Sequence, residues 1–257
     1  VGVGAGNVSV IVDETADLNE AAQKIVASKI FDNATSCSSE NSVVALASVY
    51  DDLVAALESQ GAKLLTASEQ EKLQQLMWPD GKLNSGVIAR PARQIAQMAE
   101  IDCRAAPDVK VLLVQESQSG SAYPFSGEKL CPVLTLYRAE DFDGALAQVA
   151  EIYAYQGAGH SVGIHTADDA RAMQIAMELP TCRVIVNQAH CFATGGSFDN
   201  ALPFSLSMGC GSWGGNSISE NMNYRHYLNT VRVVRSIPAQ EVSPEDLLGD
   251  YWARHGK

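Results

Sequence analysis

Short apolar runs rich in β-branched residues alternate along this chain with longer segments whose apolar positions recur every three or four residues. Continuous apolar runs of this length are typical of strands that are buried on both faces of a parallel sheet. They predict strands at residues 8–12, 43–49, 109–114, 133–137, 161–164 and 183–186.

The amphipathic segments between these runs predict helices at residues 17–30, 51–60, 68–78, 91–99, 142–155 and 168–178. Asp17 is a typical N-cap, and Glu20 stands where it would complete a capping box. Gly61 is suited to end a helix, and Pro91 is suited to a first turn. Alternating strands and helices imply the α/β class, with a mostly parallel sheet and helices on both faces.

The pattern changes after Asn187. Residues 188–217 are rich in Gly, Ser, Phe and Asn, and form too long a connection to be a simple turn, so they predict a functional loop or a segment that wraps around the domain. An alternating strand is predicted at 230–235 and a last helix from Ser243. Such a strand alone presents an unpaired edge, which favours dimerisation. We therefore divide the chain into a main domain, 1–217, and a C-terminal arm or tail, 218–257.

Composition and charge exclude several classes of partner and indicate the state of the cysteines. A net charge of −12 over 257 residues argues against nucleic acid or an anionic membrane as the main partner. No apolar run approaches the ~18 residues of a membrane span, and no signal-peptide pattern opens the chain. Six cysteines are scattered without metal-ligand spacing, which predicts reduced thiols, no metal and a cytoplasmic protein.

Cys37 lies in a polar segment, 31–40, between a predicted helix and a predicted strand. A thiol on such a loop lies at the rim of a sheet, where it can meet a substrate and backbone N–H donors; those donors should lower its pKa. The alternative is a cysteine that only fills space as a small hydrophobe. Cys210, within a Gly-rich loop, is a weaker candidate for the nucleophile.

The pattern Phe-Asp-Asn-x-x-x-Cys-x-Ser-Glu at 31–40 resembles the nucleophile segment of the CoA-acylating aldehyde dehydrogenases. Further motifs follow in the family's order: Glu128-Lys129-Leu130-Cys131-Pro132, Gly157-Ala158-Gly159-His160 and Gly209-Cys210-Gly211-Ser212-Trp213. Two departures stand out. Ala34 replaces a glycine of many members, and the family's N-terminal NAD-binding domain is expected to be absent from this chain.

The resemblance implies an aldehyde dehydrogenase catalytic domain with a C-terminal oligomerisation arm, acting as a homodimer or higher homo-oligomer. It implies that Cys37 attacks a small aldehyde, forms a thioester after hydride loss to NAD or NADP, and passes the acyl group to coenzyme A. His160 would move a proton to or from the CoA thiol, or else be structural. Glu128 would bind the nicotinamide ribose and Leu130 would pack near the nicotinamide. The active-site loop residues implied are Asn33, Gly209, Gly211 and Trp213.

Gly2 stands where the hydrolytic aldehyde dehydrogenases carry a glutamate that activates water. Without that base, hydrolysis of the thioester is slow and an external thiol can take the acyl group, which favours CoA as the acceptor. The literal G-x-G-x-x-G at 209–214 does not open a helix in a βαβ unit and is therefore not interpreted as a dinucleotide fingerprint.

Alternatives remain. The segment from Asn187 through Arg235 is most similar to sulfoacetaldehyde-type members, but acetaldehyde and succinate semialdehyde are also candidate substrates. A cysteine hydrolase or acyltransferase could use Cys37 and His160 without a redox cofactor. A truncated, non-catalytic assembly subunit is the third hypothesis. Arg183 and Arg225-His226 could bind an anionic substrate tail, but they are predicted to lie on the solvated surface. The remaining histidines, 165, 190, 226 and 255, are predicted to have surface or packing roles.

Overall fold

A computed structural model describes residues 6–104 and 106–257 of the protein. Its strands are β1 (Val8–Val12), β2 (Glu40–Leu46), β3 (Ala62–Leu64), β4 (Val111–Gln115), β5 (Val133–Ala139), β6 (Val162–His165) and β7 (Val184–Val186). They form one seven-stranded sheet in the order β3-β4-β5-β2-β1-β6-β7. Every pairing in it is parallel, so the predicted parallel α/β fold is confirmed.

The helices are α1 (Leu18–Ile30), α2 (Tyr50–Ser59), α3 (Ala67–Met77), α4 (Ala92–Met98), α5 (Phe142–Tyr155), α6 (Asp169–Glu178), α7 (His190–Thr194) and α8 (Pro244–His255). Asp17 caps α1 as predicted and accepts a hydrogen bond from the Glu20 N–H. The Glu20 carboxylate instead forms an ion pair with Lys24 one turn later. Of the two hydrogen bonds of the predicted capping box, only the one from the Glu20 N–H to Asp17 is present.

Helices cover both faces of the sheet, as predicted. Val10 and Val43 point to one face, where α1 and α2 pack through residues such as Ile25. Ile11 and Val44, their neighbours in sequence, point to the opposite face and pack against α5 and α6. Further along that second face, α3 and α4 cover β4 and β5. Buried contact on both faces explains why the strands are continuously apolar.

The second strand differs from the prediction. It was expected at 43–49, but β2 begins at Glu40 and ends at Leu46. The sequence places Glu40 in the polar loop and predicts no strand at Asn41 and Ser42, yet all three are buried within the strand. Two of them accept hydrogen bonds there. Ser28 donates to the Glu40 carboxylate (2.6 Å), and the Lys129 N–H donates to the Asn41 side chain (3.1 Å).

Two short elements were not predicted. The edge strand β3 has three residues, and α7 has five, which is too few for either hydrophobic period to be visible. The other predicted elements occur within one to three residues of their expected bounds.

The chain divides into a compact unit that ends at Asn223 and a second unit, Tyr224–Lys257. The second unit contains α8, whose N-cap Ser243 forms a capping box with Asp246. The strand predicted at 230–235 is wrong: these residues form neither helix nor strand, and Val231, Val233 and Val234 are exposed. An alternating pattern becomes a strand only where another strand accepts its backbone hydrogen bonds.

Within the described ranges, no helix combines the length and apolar character needed to cross a bilayer. The same residues contain no group of three or more His, Cys, Asp or Glu side chains arranged to hold a metal ion.

Candidate active site

The motif residues meet at one edge of the sheet, just before the strands begin. The four central strands are neighbours in the order β5-β2-β1-β6. Glu128 precedes β5, Cys37 precedes β2, Gly6 precedes β1 and His160 precedes β6. Residues more than 120 positions apart in sequence therefore come together because parallel strands present their amino ends at a common edge.

Cys37 and His160 are in direct contact. The Cys37 Sγ lies 3.3 Å from the His160 Nε2. His160 is buried, whereas Cys37 is partly exposed. Gly6 packs against the cysteine so closely that a Cβ there would lie 2.2 Å from the Cys37 carbonyl oxygen. A glycine is required at this position because no side chain fits between β1 and the cysteine loop.

The turn before Cys37 has left-handed backbone conformation at three consecutive residues: Asp32, Asn33 and Ala34 have φ angles of 48°, 49° and 61°. Asn and Asp tolerate this conformation, but alanine does not favour it. Glycine at position 34, which the family resemblance led us to note, would adopt it without strain.

We therefore expect Ala34→Gly to be nearly neutral, within about 0.5 kcal/mol, because relief of left-handed strain offsets the lost methyl group and the added chain entropy. The matched control is Ala22→Gly, in the buried interior of α1, where glycine should cost about 1 kcal/mol or more. Urea denaturation measures both. Equal losses in the two variants would contradict the strain at Ala34.

The carboxylate of Glu128 acts electrostatically on the cysteine. Burial raises the pKa of Glu128 itself, against a lowering contribution from the Gly6 backbone N–H. Burial also raises the pKa of the Cys37 thiol, and the Glu128 charge raises it further, against a lowering contribution from Ser38. The expected low thiol pKa is therefore wrong for this structure: desolvation and a neighbouring negative charge outweigh the donors on the loop.

Glu128→Gln should lower the pKa of the Cys37 thiol, because it removes a nearby negative charge. We expect iodoacetamide to label Cys37 roughly two- to fivefold faster at pH 8 in this variant. In the unmodified protein, labelling should rise about tenfold per pH unit between pH 7 and 8.5, because the thiol titrates above that range. The control is Glu116→Gln, another partly buried carboxylate that is not among the charges shifting Cys37. Equal effects of the two variants would contradict the Glu128–Cys37 coupling.

Cys37 opens into a cleft of about 730 Å³. Its larger apolar residues are Phe31, Phe192, Phe204, Leu206 and Met208, and the rest of the lining consists of Ser36, Ser38, Cys191, Gly195, Gly196 and Ser205. Two of the rings, Phe31 and Phe192, pack edge to face at 5.0 Å. A cleft of similar size beside α3 is lined by no cysteine or histidine, so it offers no thiol for attack on an aldehyde.

The Gly-rich loop at 208–221 lies next to this site. A Cβ at Gly209 would lie 2.2 Å from the Ile218 carbonyl oxygen, and Gly211 has a φ of 60°, so both positions require glycine. Trp213 packs beside Gly211 and is half exposed, and it is not part of the described cleft lining. Met208 is the residue of this loop that lines the cleft.

Arg183 was expected on the solvated surface, but it is buried. Its Nη1 donates to the carbonyl oxygens of His160 (3.0 Å) and Gly209 (2.9 Å), and its Nε donates to the Asn221 side chain (2.8 Å). The guanidinium therefore joins the His160 turn to the Gly-rich loop. Cys210, the weaker nucleophile candidate, is fully buried within that loop, away from solvent.

Two polar residues behind His160 were missed. Ser161 Oγ lies 2.6 Å from the His160 Nδ1 and 2.8 Å from the His190 Nε2. His190, for which the sequence predicts a surface or packing role, is buried in this hydrogen-bonded series. Adjacency to His160 was a signal for Ser161, whereas nothing near His190 in sequence relates it to residue 160.

Leu130 is half-buried and has a left-handed backbone with a φ of 50°, three residues before β5. This conformation turns the chain between Glu128 and the strand. The interpretation of Gly2 falls on residues outside the described part of the chain.

The chain is similar in sequence to known proteins, and the similar region includes the residues of this site. The sequence model of the aldehyde dehydrogenase family matches residues 4–76, the stretch that contains Gly6 and Cys37. The acylating sulfoacetaldehyde dehydrogenase of Cupriavidus necator is 57% identical over 258 residues, which are 100% of this chain and 52% of that protein. The chain belongs to the aldehyde dehydrogenase family.

Other members of the aldehyde dehydrogenase family support the assignment. The acylating sulfoacetaldehyde dehydrogenase of Bilophila wadsworthia is 40% identical over 261 residues, which are 100% of this chain and 56% of that protein. The crystal structure of an acetylating aldehyde dehydrogenase from Geobacillus thermoglucosidasius superposes with a TM-score of 0.86 at 34% identity, over 93% of this chain and 53% of that one. The chain spans about half the length of the curated relatives it matches.

Proposed function

We propose that the protein oxidises a short aldehyde to an acyl-CoA, with NAD or NADP as the hydride acceptor. The observation that carries the proposal is a partly exposed Cys37 thiol, 3.3 Å from the His160 imidazole, which opens into a cleft large enough for a small substrate. The names of the relatives, which are acylating aldehyde dehydrogenases, support the same reaction class.

The chemistry proceeds in two steps. The Cys37 sulfur bonds to the aldehyde carbon, and the resulting thiohemiacetal becomes a thioester when hydride leaves for the nicotinamide. Coenzyme A then forms a bond to the acyl carbon as the bond to Cys37 breaks. Glu128, near Cys37, fits the role of holding the nicotinamide ribose, because a carboxylate accepts hydrogen bonds from both hydroxyls of a diol. When bound, the nicotinamide would act only as the acceptor of the hydride.

For the substrate, we propose sulfoacetaldehyde, since two relatives that match the full length of the chain carry that activity in their names. The described cleft lining has no Lys or Arg, so a sulfonate would be held by hydroxyl and backbone N–H donors such as Ser36 and Ser205. The apolar residues of the same cleft favour acetaldehyde as the second candidate.

The test uses the protein expressed from its own gene, incubated with each aldehyde, CoA and either NAD⁺ or NADP⁺. We expect acyl-CoA, identified by mass spectrometry, in equal amount to reduced nicotinamide, with sulfoacetyl-CoA formed fastest. Free acid produced at full rate without CoA would contradict acyl transfer. Turnover of thioesters with no nicotinamide present would favour a cysteine hydrolase instead.

A further inference from the structure

A continuous series of hydrogen bonds leads from the Cys37 sulfur into the interior. The Cys37 Sγ lies 3.3 Å from the His160 Nε2, the His160 Nδ1 lies 2.6 Å from the Ser161 Oγ, and that oxygen lies 2.8 Å from the His190 Nε2. The three residues behind the cysteine are at most 2% exposed. Each neutral imidazole carries one N–H, and among the described residues the Ser161 hydroxyl has no hydrogen-bond partner besides these two rings, so the position of the proton on His190 sets the direction of the rest.

The far end of the series determines that direction. The His190 Nδ1 is buried and has no hydrogen-bond partner. It lies over the backbone of β6, only 3.0 Å from where a Cβ of Gly163 would be. A neutral imidazole carries a single N–H, and buried N–H groups without an acceptor are rarer than buried acceptors without a donor. The proton of His190 is therefore on Nε2, which faces Ser161.

From His190 the direction follows residue by residue. The His190 Nε2–H donates to the Ser161 oxygen, so the serine hydroxyl has its own proton free to donate to the His160 Nδ1. Because that nitrogen accepts, the single proton of neutral His160 must be on Nε2, facing the Cys37 sulfur. We propose that Ser161 and His190 are positioning residues that hold His160 in the tautomer whose Nε2–H donates to the Cys37 sulfur.

The surroundings keep the two imidazoles neutral. Burial lowers the pKa of His160 to about 4, with a further contribution from the Arg183 charge. Burial also lowers the pKa of His190, together with His160, His165 and Arg183. Among the residues that the structure describes, the one carboxylate hydrogen-bonded to His190 is Glu40, which accepts from its backbone N–H (3.4 Å) rather than from its ring. Protonating either ring would place a cation in a site that already holds the Arg183 guanidinium.

This assignment changes the role of His160, and it rests on the proposed acyl transfer. With its proton on Nε2, His160 does not take a proton from a thiol. Coenzyme A loses its proton to water and attacks as a thiolate; its sulfur bonds to the acyl carbon, the bond from that carbon to Cys37 breaks, and Cys37 leaves with the electron pair. One thiolate is consumed and one is released, so no net proton transfer is needed. The His160 N–H stabilises the departing Cys37 thiolate.

The tautomer can be observed directly by ¹⁵N NMR of the protein expressed from its own gene with labelled histidine. The His160 signals are identified by their loss in a His160→Gln variant. We expect a proton-bearing, pyrrole-like shift at Nε2 and a pyridine-like shift at Nδ1. The reverse pattern in the unmodified protein would overturn the proposal.

Paired variants test the two positioning residues. Ser161→Ala and His190→Leu remove the donors, whereas Ser161→Thr and His190→Gln keep a hydroxyl and an N–H donor. We expect alkylation of Cys37 at pH 8 to slow roughly three- to tenfold in the first pair and to recover in the second, because an N–H donor favours the thiolate. Equal slowing in all four variants would mean that packing alone matters, and no slowing in any would mean that the series does not reach Cys37; either result overturns the proposal.

Alkylation and NMR need no substrate, so they test this assignment even if the proposed reaction is wrong. If the unmodified protein makes acyl-CoA, kcat for acyl transfer should be roughly tenfold lower in Ser161→Ala and in His190→Leu. KM for CoA should change less than about twofold in both, because the donor acts on the leaving sulfur. A loss expressed only in KM would contradict a role in the departure of Cys37.

Discussion

Replacing Cys37 by serine should reduce CoA-dependent aldehyde oxidation by roughly 10⁴-fold or more, the largest effect that we expect of any substitution. A serine hydroxyl is a far weaker nucleophile than a thiolate, and loss of a covalent nucleophile removes both steps of the reaction. The measurement is reduction of NAD⁺ or NADP⁺ by the protein expressed from its own gene, with stability followed by thermal unfolding.

The matched control is Cys103→Ser, which alters another partly exposed cysteine outside the cleft. It should retain the activity of the unmodified protein. If Cys37→Ser remained active while Cys210→Ser lost activity, the nucleophile would be the cysteine of the Gly-rich loop and the geometry at β2 would have been misinterpreted.

Replacing Arg183 by methionine should cause the largest loss of stability. Its side chain is buried, and the substitution removes donors from the His160 and Gly209 carbonyl oxygens and from Asn221. Each buried acceptor left without a donor costs about 1–3 kcal/mol, and partial repacking by the methionine recovers some of that, so we expect a net loss of roughly 3 kcal/mol. Chemical denaturation with a constant m-value is the measurement.

Arg138→Met is the control for Arg183. Arg138 is half exposed and pairs with the exposed Asp51, so its loss should stay within about 1 kcal/mol. Because Arg183 also holds the His160 carbonyl, acyl transfer should weaken in Arg183→Met even at temperatures where the variant is folded. Equal stability losses in the two variants would show that Arg183 does not join the two loops energetically.

The elements predicted best are those with a long period or a recognisable end. Helix α5 occurs at 142–155, as its apolar spacing indicates, and Asp17 and Ser243 cap helices as their side chains allow. The element predicted worst is the strand at 230–235, which has the right alternation but no strand beside it. Helices satisfy their hydrogen bonds locally, whereas a strand depends on a partner that local sequence does not specify.

The residues of the candidate site also divide into those that the sequence indicates and those that only the structure shows. Cys37, His160 and Glu128 could be singled out because each lies in a motif that resembles a known family. The charges acting on the thiol could not be found in this way: its pKa is raised by burial and by Glu128, which is far from it in sequence. His190 gave no signal at all, because a lone histidine near a short helix has the same appearance whether it packs or positions another ring.

For this protein, local sequence alone determined the α/β class, the parallel arrangement of the main strands and the segment that contains the cysteine, because hydrophobic period and capping act over a few residues. Only the tertiary structure decided which side chains meet at the amino ends of β5, β2, β1 and β6. Strand order brings Glu128, Cys37 and His160 together, buries Arg183 and joins His190 to His160 through Ser161. These contacts depend on long-range packing, and burial there sets both the pKa of the thiol and the direction of the hydrogen bonds behind it.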